Sequence, residues 1–301
     1  MTEERMRTVI SSEYDGVVLR EYLRNVLRLS RAELTELKKR DDGIMLNGER
    51  VTVRAVLKSG DKLTLSRDDL VSSEGVIPVD LPLDILYEDD DVIALNKPPF
   101  MPTHPSHEHQ SDTLANALAY YFENKGIPFV FRAVNRLDRD TSGVVLVAKN
   151  KNAAFVLAKQ IAEFKVEKKY IAIVNGELSE NGVIEGNIRR VTEGKMERGV
   201  FPDGQYALTE YEVLSVKNGL SALTVTPKTG RTHQIRVHLS HIGHPILGDT
   251  LYGDESGSEL IRRQALHAYS LTFSLPSNNE TITVTAPLPD DMTAIGVYGQ
   301  N

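Results

Sequence analysis

The 301-residue chain contains no cysteine. Without cysteine it can form no disulfide, no thiolate metal site and no cysteine nucleophile, which fits a reducing cytosol. No stretch approaches the roughly 18 apolar residues that a membrane-spanning helix requires. The N-terminal residues MTEERMRTVI are charged and lack the apolar core of a secretory signal. We therefore expect a cytoplasmic protein with no membrane partner.

The chain also lacks the glycine-rich motifs that hold nucleotide phosphates, GxGxxG and GxxxxGK[ST], and the GxSxG motif of α/β-type serine hydrolases. His238, His241 and His244 are spaced by three, which does not place three metal ligands on one helical face. No HExxH motif or acidic metal-binding pattern accompanies them. We expect solvated or hydrogen-bonded histidines, no metal and no cofactor.

The composition is that of an ordinary globular protein, with 41% hydrophobic and 26% charged residues. Its length suits one sizeable core and a smaller module. The net charge of −7 is unevenly distributed, because residues 1–70 carry 14 basic and 13 acidic residues and the remainder carries 21 and 29. A local basic surface can still bind phosphates, since the relevant field acts within about 10 Å.

The basic residues of the N-terminal region follow two predicted helices. Residues 17–28 have an apolar helical face. On another face, Arg20, Arg24, Arg28 and Arg31 recur at steps of four and three and form one basic stripe. Ser30 and Glu33 form a capping-box pattern that predicts a second helix through about Lys39. The candidate RNA-binding residues of this region are Arg20, Arg24, Arg28, Arg31, Lys38, Lys39 and Arg40.

Turn signals divide the rest of the chain. Asn47-Gly48 predicts a two-residue hairpin, and Gly60-Asp61 predicts another turn, so we expect two short helices and a small sheet over residues 1–67. Residues 68–82 are polar and without period, which predicts a linker. From 83 to 301, short β-type runs dominate, and helical patterns cover 112–122, 151–163 and 232–242. This pattern predicts an α+β domain with a mixed, mostly antiparallel β-sheet and flanking helices.

Asp138 lies in a charged, turn-forming segment, NRLDRDTSG, just before the apolar run VVLVAK. A loop set against a rigid strand can hold a reactive side chain in place. Arg136 and Arg139 flank the aspartate and would favour its charged form. The alternative interpretation is a surface loop in which Asp138 caps a turn and the arginines are solvated.

A second charged segment, PKTGRTHQIRVH, joins a predicted strand to a helix that we expect to begin near Thr232. Arg231 in this turn could bind a carboxylate from another loop with bidentate geometry. The alternative is an ordinary ion pair at the N-terminus of a helix.

Five motifs in order resemble the RluA-type family of RNA pseudouridine synthases. They are ILYEDDDVIALNKPPFMPTHPS, NRLDRDTSGVVLVAK, KKYIAIVNG, PKTGRTHQIRVHLSHIGHPILGD and LHAYSLTF. Residues 17–65 resemble the αL RNA-binding module of the S-four type, which often precedes this catalytic domain. The resemblance implies a pseudouridine-synthase fold for residues 83–301 and a small N-terminal RNA-binding domain over residues 1–67.

The resemblance also assigns roles to individual residues. It makes Asp138 the essential carboxylate and Arg231 its salt-bridge partner. Tyr170 would pack on the target base and could accept a proton, and Arg136 would fill the gap that the flipped uridine leaves in the RNA stack. Residue 135 is asparagine where the family usually has histidine.

A second departure lies at Pro99-Phe100, where the family usually has a small residue followed by glycine, and it leaves the conformation of the 97–106 loop open. The resemblance implies an RNA substrate, with ribosomal RNA favoured over transfer RNA, and an enzyme that acts as a monomer without cofactor. The reaction itself is redox-neutral and consumes no water. A non-catalytic RNA-binding or ribosome-assembly protein is the alternative. An RNA methyltransferase would need a glycine-rich cofactor loop that is missing.

Overall fold

The computed structural model describes residues 5–27, 29, 31–66, 76–253 and 259–298. Within these ranges, no helix is both long and apolar enough to cross a membrane. The strands fall into a four-stranded sheet near the N-terminus, a ten-stranded sheet in the remainder and a separate two-stranded ribbon.

The N-terminal sheet is antiparallel, in the order β1-β4-β2-β3. Its strands are β1 (Arg5–Val9), β2 (Ile44–Leu46), β3 (Glu49–Arg50) and β4 (Lys62–Ser66). Asn47 and Gly48 join β2 to β3 with φ values of 56° and 88°, and the paired positive values are those of a tight hairpin turn. The prediction of a turn at Asn47-Gly48 is therefore confirmed, and Gly60, with φ 88°, lies in the other predicted turn.

The helices of this region do not form the single basic stripe that the sequence predicts. A 3₁₀ turn (Ser12–Tyr14) precedes α1 (Leu19–Glu21), which continues as one π-helical turn (Tyr22–Val26) and ends there. The second helix, α2, spans Arg31–Lys39. Arg31 therefore lies on a different helix from Arg20 and Arg24, which corrects the expectation of a single stripe. Arg28 and the predicted cap Ser30 lie outside the described residues.

An apolar cluster packs the N-terminal helices against their sheet. It includes Leu19 and Leu23 from the first helical segment, Leu34 from α2, and Leu63 and Leu65 from β4. Leu63 and Leu65 alternate with Thr64 along β4, so one face of that strand is buried in the cluster. The cluster contains only residues before position 66, as expected for a small module with its own core.

The large sheet has the strand order β10-β13-β14-β9-β15-β8-β6-β5, with β16 paired to β15 and β7 paired to β8. Among its described pairings only β8–β15 is parallel, so the predicted mixed, mostly antiparallel sheet is confirmed. The strands are β5 (Ile85–Glu88), β6 (Val92–Lys97), β7 (Arg132–Ala133), β8 (Ser142–Ala148), β9 (Glu167–Asn175), β10 (Gly182–Glu185), β13 (Leu208–Lys217), β14 (Leu220–Pro227), β15 (Leu266–Ser274) and β16 (Thr281–Thr285). A ribbon of β11 (Ile188–Arg190) and β12 (Arg198–Val200) stands apart.

Two helices cover the two faces of the central strands. Strand β8 is buried along its whole length, and its side chains alternate between the faces with a period of two. One face packs on α3 (Leu114–Asn124), and the other packs on α4 (Lys151–Ala162). The remaining helices are α5 (Gln234–His241) and α6 (Asp290–Thr293). The predicted helices at 112–122, 151–163 and 232–242 correspond to α3, α4 and α5.

Gly143 permits the parallel contact between β8 and β15. Its φ is 110°, and a Cβ atom there would lie 2.2 Å from the carbonyl oxygen of Ala268. Only glycine can therefore occupy this position without moving β15. The close approach fixes the loop that precedes β8 beside β15.

The C-terminal part of the predicted linker 68–82 contacts α3. Residues 67–75 lie outside the described residues, and residues 76–82 form no regular element. The amide of Val79 donates to the carbonyl of Asn116, and Asn116 Nδ2 donates to the carbonyl of Ile77. These bonds hold residues 77–79 against α3, whereas the domain boundary itself stays a prediction.

Candidate active site

The loop that carries Asp138 is braced by its own residues against β8. Asn135 Nδ2 donates to the carbonyl of Val144, and Asn135 Oδ1 accepts from the amide of Leu146. The amide of Thr141 donates to the carbonyl of Asp138 and closes a turn. Asn135, which departs from the family pattern, thus binds the strand with both halves of its amide.

Two buried basic side chains, Lys97 and Arg263, donate hydrogen bonds to the backbone of the same loop. Lys97 is fully buried, and its ammonium donates to the carbonyls of Pro98, Met101 and Arg139 at 2.8–3.0 Å. Burial lowers the pKa of Lys97 to about 7, although the nearby charge of Asp140 opposes this. Arg263 donates to the carbonyl of Asp140. Neither cation was singled out from the sequence, because a lysine at the end of a strand gives no signal of burial.

The loop opens into a cavity of about 570 Å³ that brings together four of the sequence-predicted site residues: Asp138, Tyr170, Arg231 and Arg136. Its volume lies within the range of small-molecule sites, roughly 300–1,000 Å³. The cavity is therefore large enough to hold a small molecule.

Arg236, rather than Arg231, is the ionic partner of Asp138. Its Nη1 lies 2.9 Å from Asp138 Oδ2, and its Nε and Nη2 donate to the two carboxylate oxygens of Asp249 at 2.7 and 2.8 Å. Asp249 is 1% exposed. Burial lowers the pKa of Arg236, but the two carboxylates outweigh burial and raise it. The guanidinium is therefore a permanent charge that fixes the Asp138 carboxylate from one side.

The predicted ion pair between Arg231 and Asp138 is wrong, and the backbone at His233 explains why. His233 takes a left-handed conformation with φ 57°, and α5 begins only after it, at Gln234. Arg231 precedes this turn and remains exposed at the cavity, where its Nε donates to the carbonyl of Tyr206. Arg236 follows the turn on the buried side of α5. Arg236 is flanked by Ile235 and Val237, but α5 also contains glutamine, serine and histidines, so no local signal in the sequence separates Arg236 from Arg231.

His233 lies beside the ion pair. Its Nε2 is 3.8 Å from Asp138 Oδ2, and its Nδ1 is 2.8 Å from the hydroxyl of Tyr252. Burial lowers the pKa of His233, the charge of Asp138 opposes the shift, and Arg236 supports it. The imidazole is therefore neutral at neutral pH, and the hydrogen bond to Tyr252 orients its ring.

Tyr170 lies on β9, between Val225 of β14 and Ala268 of β15 in the sheet register. Its ring packs partly into the core and lines the cavity. Burial, with a smaller contribution from the charge of Asp138, raises the pKa of Tyr170 above its usual range. Its hydroxyl therefore carries a proton at neutral pH and can donate a hydrogen bond.

Arg136 is exposed at the cavity, and its charge adds to burial in lowering the pKa of His104. The neighbouring 97–106 loop contains Phe100 with φ 66°, a left-handed conformation that glycine adopts more readily. Phe100 thus has the backbone conformation that the glycine of the family pattern would adopt easily, and the residue is 53% exposed.

The predicted RNA-binding residues of the N-terminal region are accessible where the structure describes them. Arg20, Arg24, Lys38 and Lys39 are exposed, and Arg40 is half-buried with its Nε 3.5 Å from Asp42 Oδ1. Arg28 and the side chain of Arg31 lie outside the described residues. No comparison or contact tests the assigned role of this surface, so it stays a prediction.

Two of the three spaced histidines, His238 and His244, make side-chain hydrogen bonds. His238 is buried and contacts Thr209 Oγ1 through Nδ1 and the carbonyl of Gly186 through Nε2, and His244 Nδ1 contacts the carbonyl of Asn175. Within the described ranges, no group of three or more histidines and carboxylates converges as metal ligands do.

Comparisons with known proteins agree on one family. The family model described as RNA pseudouridylate synthase matches residues 91–241. An uncharacterized RNA pseudouridine synthase of Bacillus subtilis, YjbO, is 40% identical over 276 residues, which cover 91% of this chain and 96% of the relative. The ribosomal large subunit pseudouridine synthase D of Xanthomonas campestris is 37% identical over 277 residues, covering 87% and 82%. The solved structure of human RNA pseudouridylate synthase domain containing 1 is 32% identical with a TM-score of 0.58, covering 68% of this chain and 83% of that one.

Proposed function

This chain belongs to the RluA-type RNA pseudouridine synthases, a family of isomerases, and we propose that it converts uridines of large-subunit ribosomal RNA to pseudouridine through Asp138 without a cofactor. The observation that carries the assignment of Asp138 is its carboxylate, which faces the 570 Å³ cavity while Arg236 holds one of its oxygens. Its side chain is 29% exposed, so the carboxylate remains accessible from the cavity.

The chemistry matches this inventory of groups. The bond between uracil N1 and ribose C1′ breaks, the base rotates, and a bond forms between C5 and C1′. The proton on C5 leaves to solvent, and N1 gains a proton, so no electrons are gained or lost. One carboxylate in a preorganised site can supply the covalent or basic step, because the arginine that orients it needs no reorganisation during the reaction.

Three further residues of the cavity act on the substrate in this proposal. The ring of Tyr170 contacts the base, and its protonated hydroxyl donates a hydrogen bond. Arg136, exposed at the cavity, occupies the space that the uridine vacates in the RNA stack. Arg231, exposed at the same cavity, contacts the RNA backbone rather than Asp138. Such contacts offset the cost of unstacking the target, which is a few kcal/mol.

The N-terminal module, which resembles the S-four type, supplies affinity for the RNA in this proposal. Its exposed Arg20, Arg24 and Lys38 add phosphate contacts that do not reach the cavity. The substrate preference follows the relatives named ribosomal large subunit pseudouridine synthase. A cytoplasmic location and a monomeric state complete the proposal.

Tritium release from uridine labelled at C5 tests the proposal. We expect the full chain, after treatment with EDTA, to release tritium from a large-subunit ribosomal RNA transcript faster than from a mixture of transfer RNAs. The faster release from ribosomal RNA tests the substrate, and activity after EDTA treatment tests independence from metal. RNA binding without release of tritium from any RNA would favour the non-catalytic alternative.

A further inference from the structure

Phe164 is exposed in a way that the packing of the protein does not explain. Phe164 is 72% exposed, compared with 45% for Phe155 on the preceding helix α4. Its backbone has φ 56°, in the left-handed region that bulky side chains rarely adopt. An aromatic ring is thus displayed to solvent at a position where glycine would be less strained.

The backbone around Phe164 is rigid. The amide of Phe164 donates to the carbonyl of Ile161, and the amide of Lys165 donates to the carbonyl of Gln160, which together form a Schellman motif at the end of α4. Gln160 exchanges two hydrogen bonds with the backbone of Ser274 on β15. The ring therefore projects from a fixed point on the sheet domain.

That fixed point adjoins the catalytic cavity. Ile161, one turn before Phe164, lines the cavity, and so does Lys168, four residues after it. Lys165, beside the ring, is two-thirds exposed and pairs with Glu163 at 2.7 Å. Phe164 is thus bracketed in sequence by two cavity-lining residues, Ile161 and Lys168.

From this placement we infer that Phe164 is a stacking platform for the base of a nucleotide adjacent to the target uridine. The inference rests on the proposed function, since it assumes that RNA enters the cavity. An RNA strand that delivers one nucleotide to the cavity must run over its rim, where its neighbouring bases lose their stacking partners. An exposed aromatic face can replace such a partner for any base.

The absence of tryptophan from the chain allows a direct test. Phe164→Trp introduces a single indole, and Phe155→Trp, at another exposed phenylalanine, introduces one on α4 as a matched control. Phe155 lies within α4, nine residues before Phe164, whereas Phe164 follows the end of that helix, so the control reports on a separate exposed position. Each full-length variant is titrated with oligouridine and with an abasic ribose-phosphate strand of equal length. We expect oligouridine to quench the Phe164→Trp fluorescence, and the abasic strand and the control variant to give little change.

Binding by other variants separates stacking from simple apolar contact. Phe164→Tyr should bind oligouridine as the wild type does, whereas Phe164→Leu and Phe164→Asn should bind about 5- to 150-fold more weakly, the range for loss of one base-stacking contact. Phe164→Asn should not lower the melting temperature, because asparagine tolerates φ > 0 better than phenylalanine does.

Equal quenching of both tryptophans, quenching by the abasic strand, or full affinity of the leucine variant would overturn the inference. The wild-type tritium assay reports separately on the proposed function. Quenching without tritium release by the wild type would leave the platform intact and contradict the function, and tritium release without quenching would contradict the platform alone.

Discussion

Replacing Arg236 by methionine should destabilise the protein by about 3–5 kcal/mol, the cost of breaking a buried ion pair from one side. The substitution removes three charge-assisted hydrogen bonds, and two of them end on Asp249. The Asp249 side chain is fully buried, so water cannot replace the lost guanidinium. Asp138 is 29% exposed and loses less, because water can solvate its free oxygen. Most of the loss in the free energy of unfolding should therefore come from Asp249.

Arg231→Met provides the matched control. Arg231 is exposed and donates its Nε to a single carbonyl, that of Tyr206, so its removal should lower the free energy of unfolding by less than about 1 kcal/mol. In activity assays the two variants should also differ. Arg236→Met should lose kcat because Asp138 is no longer oriented, whereas Arg231→Met should chiefly raise KM for RNA.

Urea unfolding followed by circular dichroism measures these differences. A double-mutant cycle of Arg236→Met with Asp249→Asn should give a coupling of about 2–3 kcal/mol, and the cycle with Asp138→Asn about 1 kcal/mol. Equal destabilisation by Arg231→Met and Arg236→Met, or additivity within about 0.5 kcal/mol in the Asp249 cycle, would refute this account of the ion-pair network.

Three further predictions follow from particular residues. Burial lowers the pKa of His267 from 6.5 to about 4. Between these pH values the unfolded state binds more protons than the folded state. The contribution of neutral His267 to the free energy of unfolding is therefore fully present above pH 6.5 and is lost as the pH falls towards 4. The loss should reach about 3 kcal/mol relative to a His267→Asn variant measured at each pH, and parallel pH curves for the two proteins would contradict it. If the Tyr170 hydroxyl transfers a proton, Tyr170→Phe should lower kcat about 100-fold; if the ring only stacks on the base, Tyr170→Phe should be tolerated and Tyr170→Ala should not. Full activity of the alanine variant would remove Tyr170 from the site. Replacing Arg24, Arg28 and Arg31 by glutamine should raise KM and flatten the plot of log K for RNA binding against log salt concentration by roughly 0.7–0.9 per lost phosphate contact. A loss of kcat at saturating RNA would instead show that this surface shapes the active site.

Much of the sheet domain could be predicted because its signals are local. The apolar run of β8 and the helical patterns that predicted α3 and α4 depend on residues close together in the chain. The Asn47-Gly48 turn is likewise determined by two residues that accept positive φ. These local preferences are present in the folded protein because its tertiary contacts favour the same conformations.

The ion-pair network could not be predicted because it depends on distant contacts. Nothing local distinguishes Arg231 from Arg236 as the partner of Asp138, and the left-handed turn at His233 decides between them. The burial of Lys97 likewise depends on three carbonyls, one of them 42 residues away. The π-helical turn at Tyr22–Val26 interrupts the predicted first helix. The apolar periodicity of residues 17–28 does not predict this turn.

The most direct test of the central claim is the rate of tritium release by Asp138→Asn under single-turnover conditions. The substitution is isosteric and removes only the charge, so RNA affinity and fold should remain while the chemical step is lost. Asp84→Asn is the matched control, since Asp84 is exposed and its carboxylate accepts a hydrogen bond from Asn96 Nδ2, away from the residues that line the cavity. We expect wild-type release from Asp84→Asn and no release from Asp138→Asn. Measurable turnover by Asp138→Asn, with deamidation excluded by mass spectrometry, would contradict the assignment of Asp138 as the catalytic carboxylate.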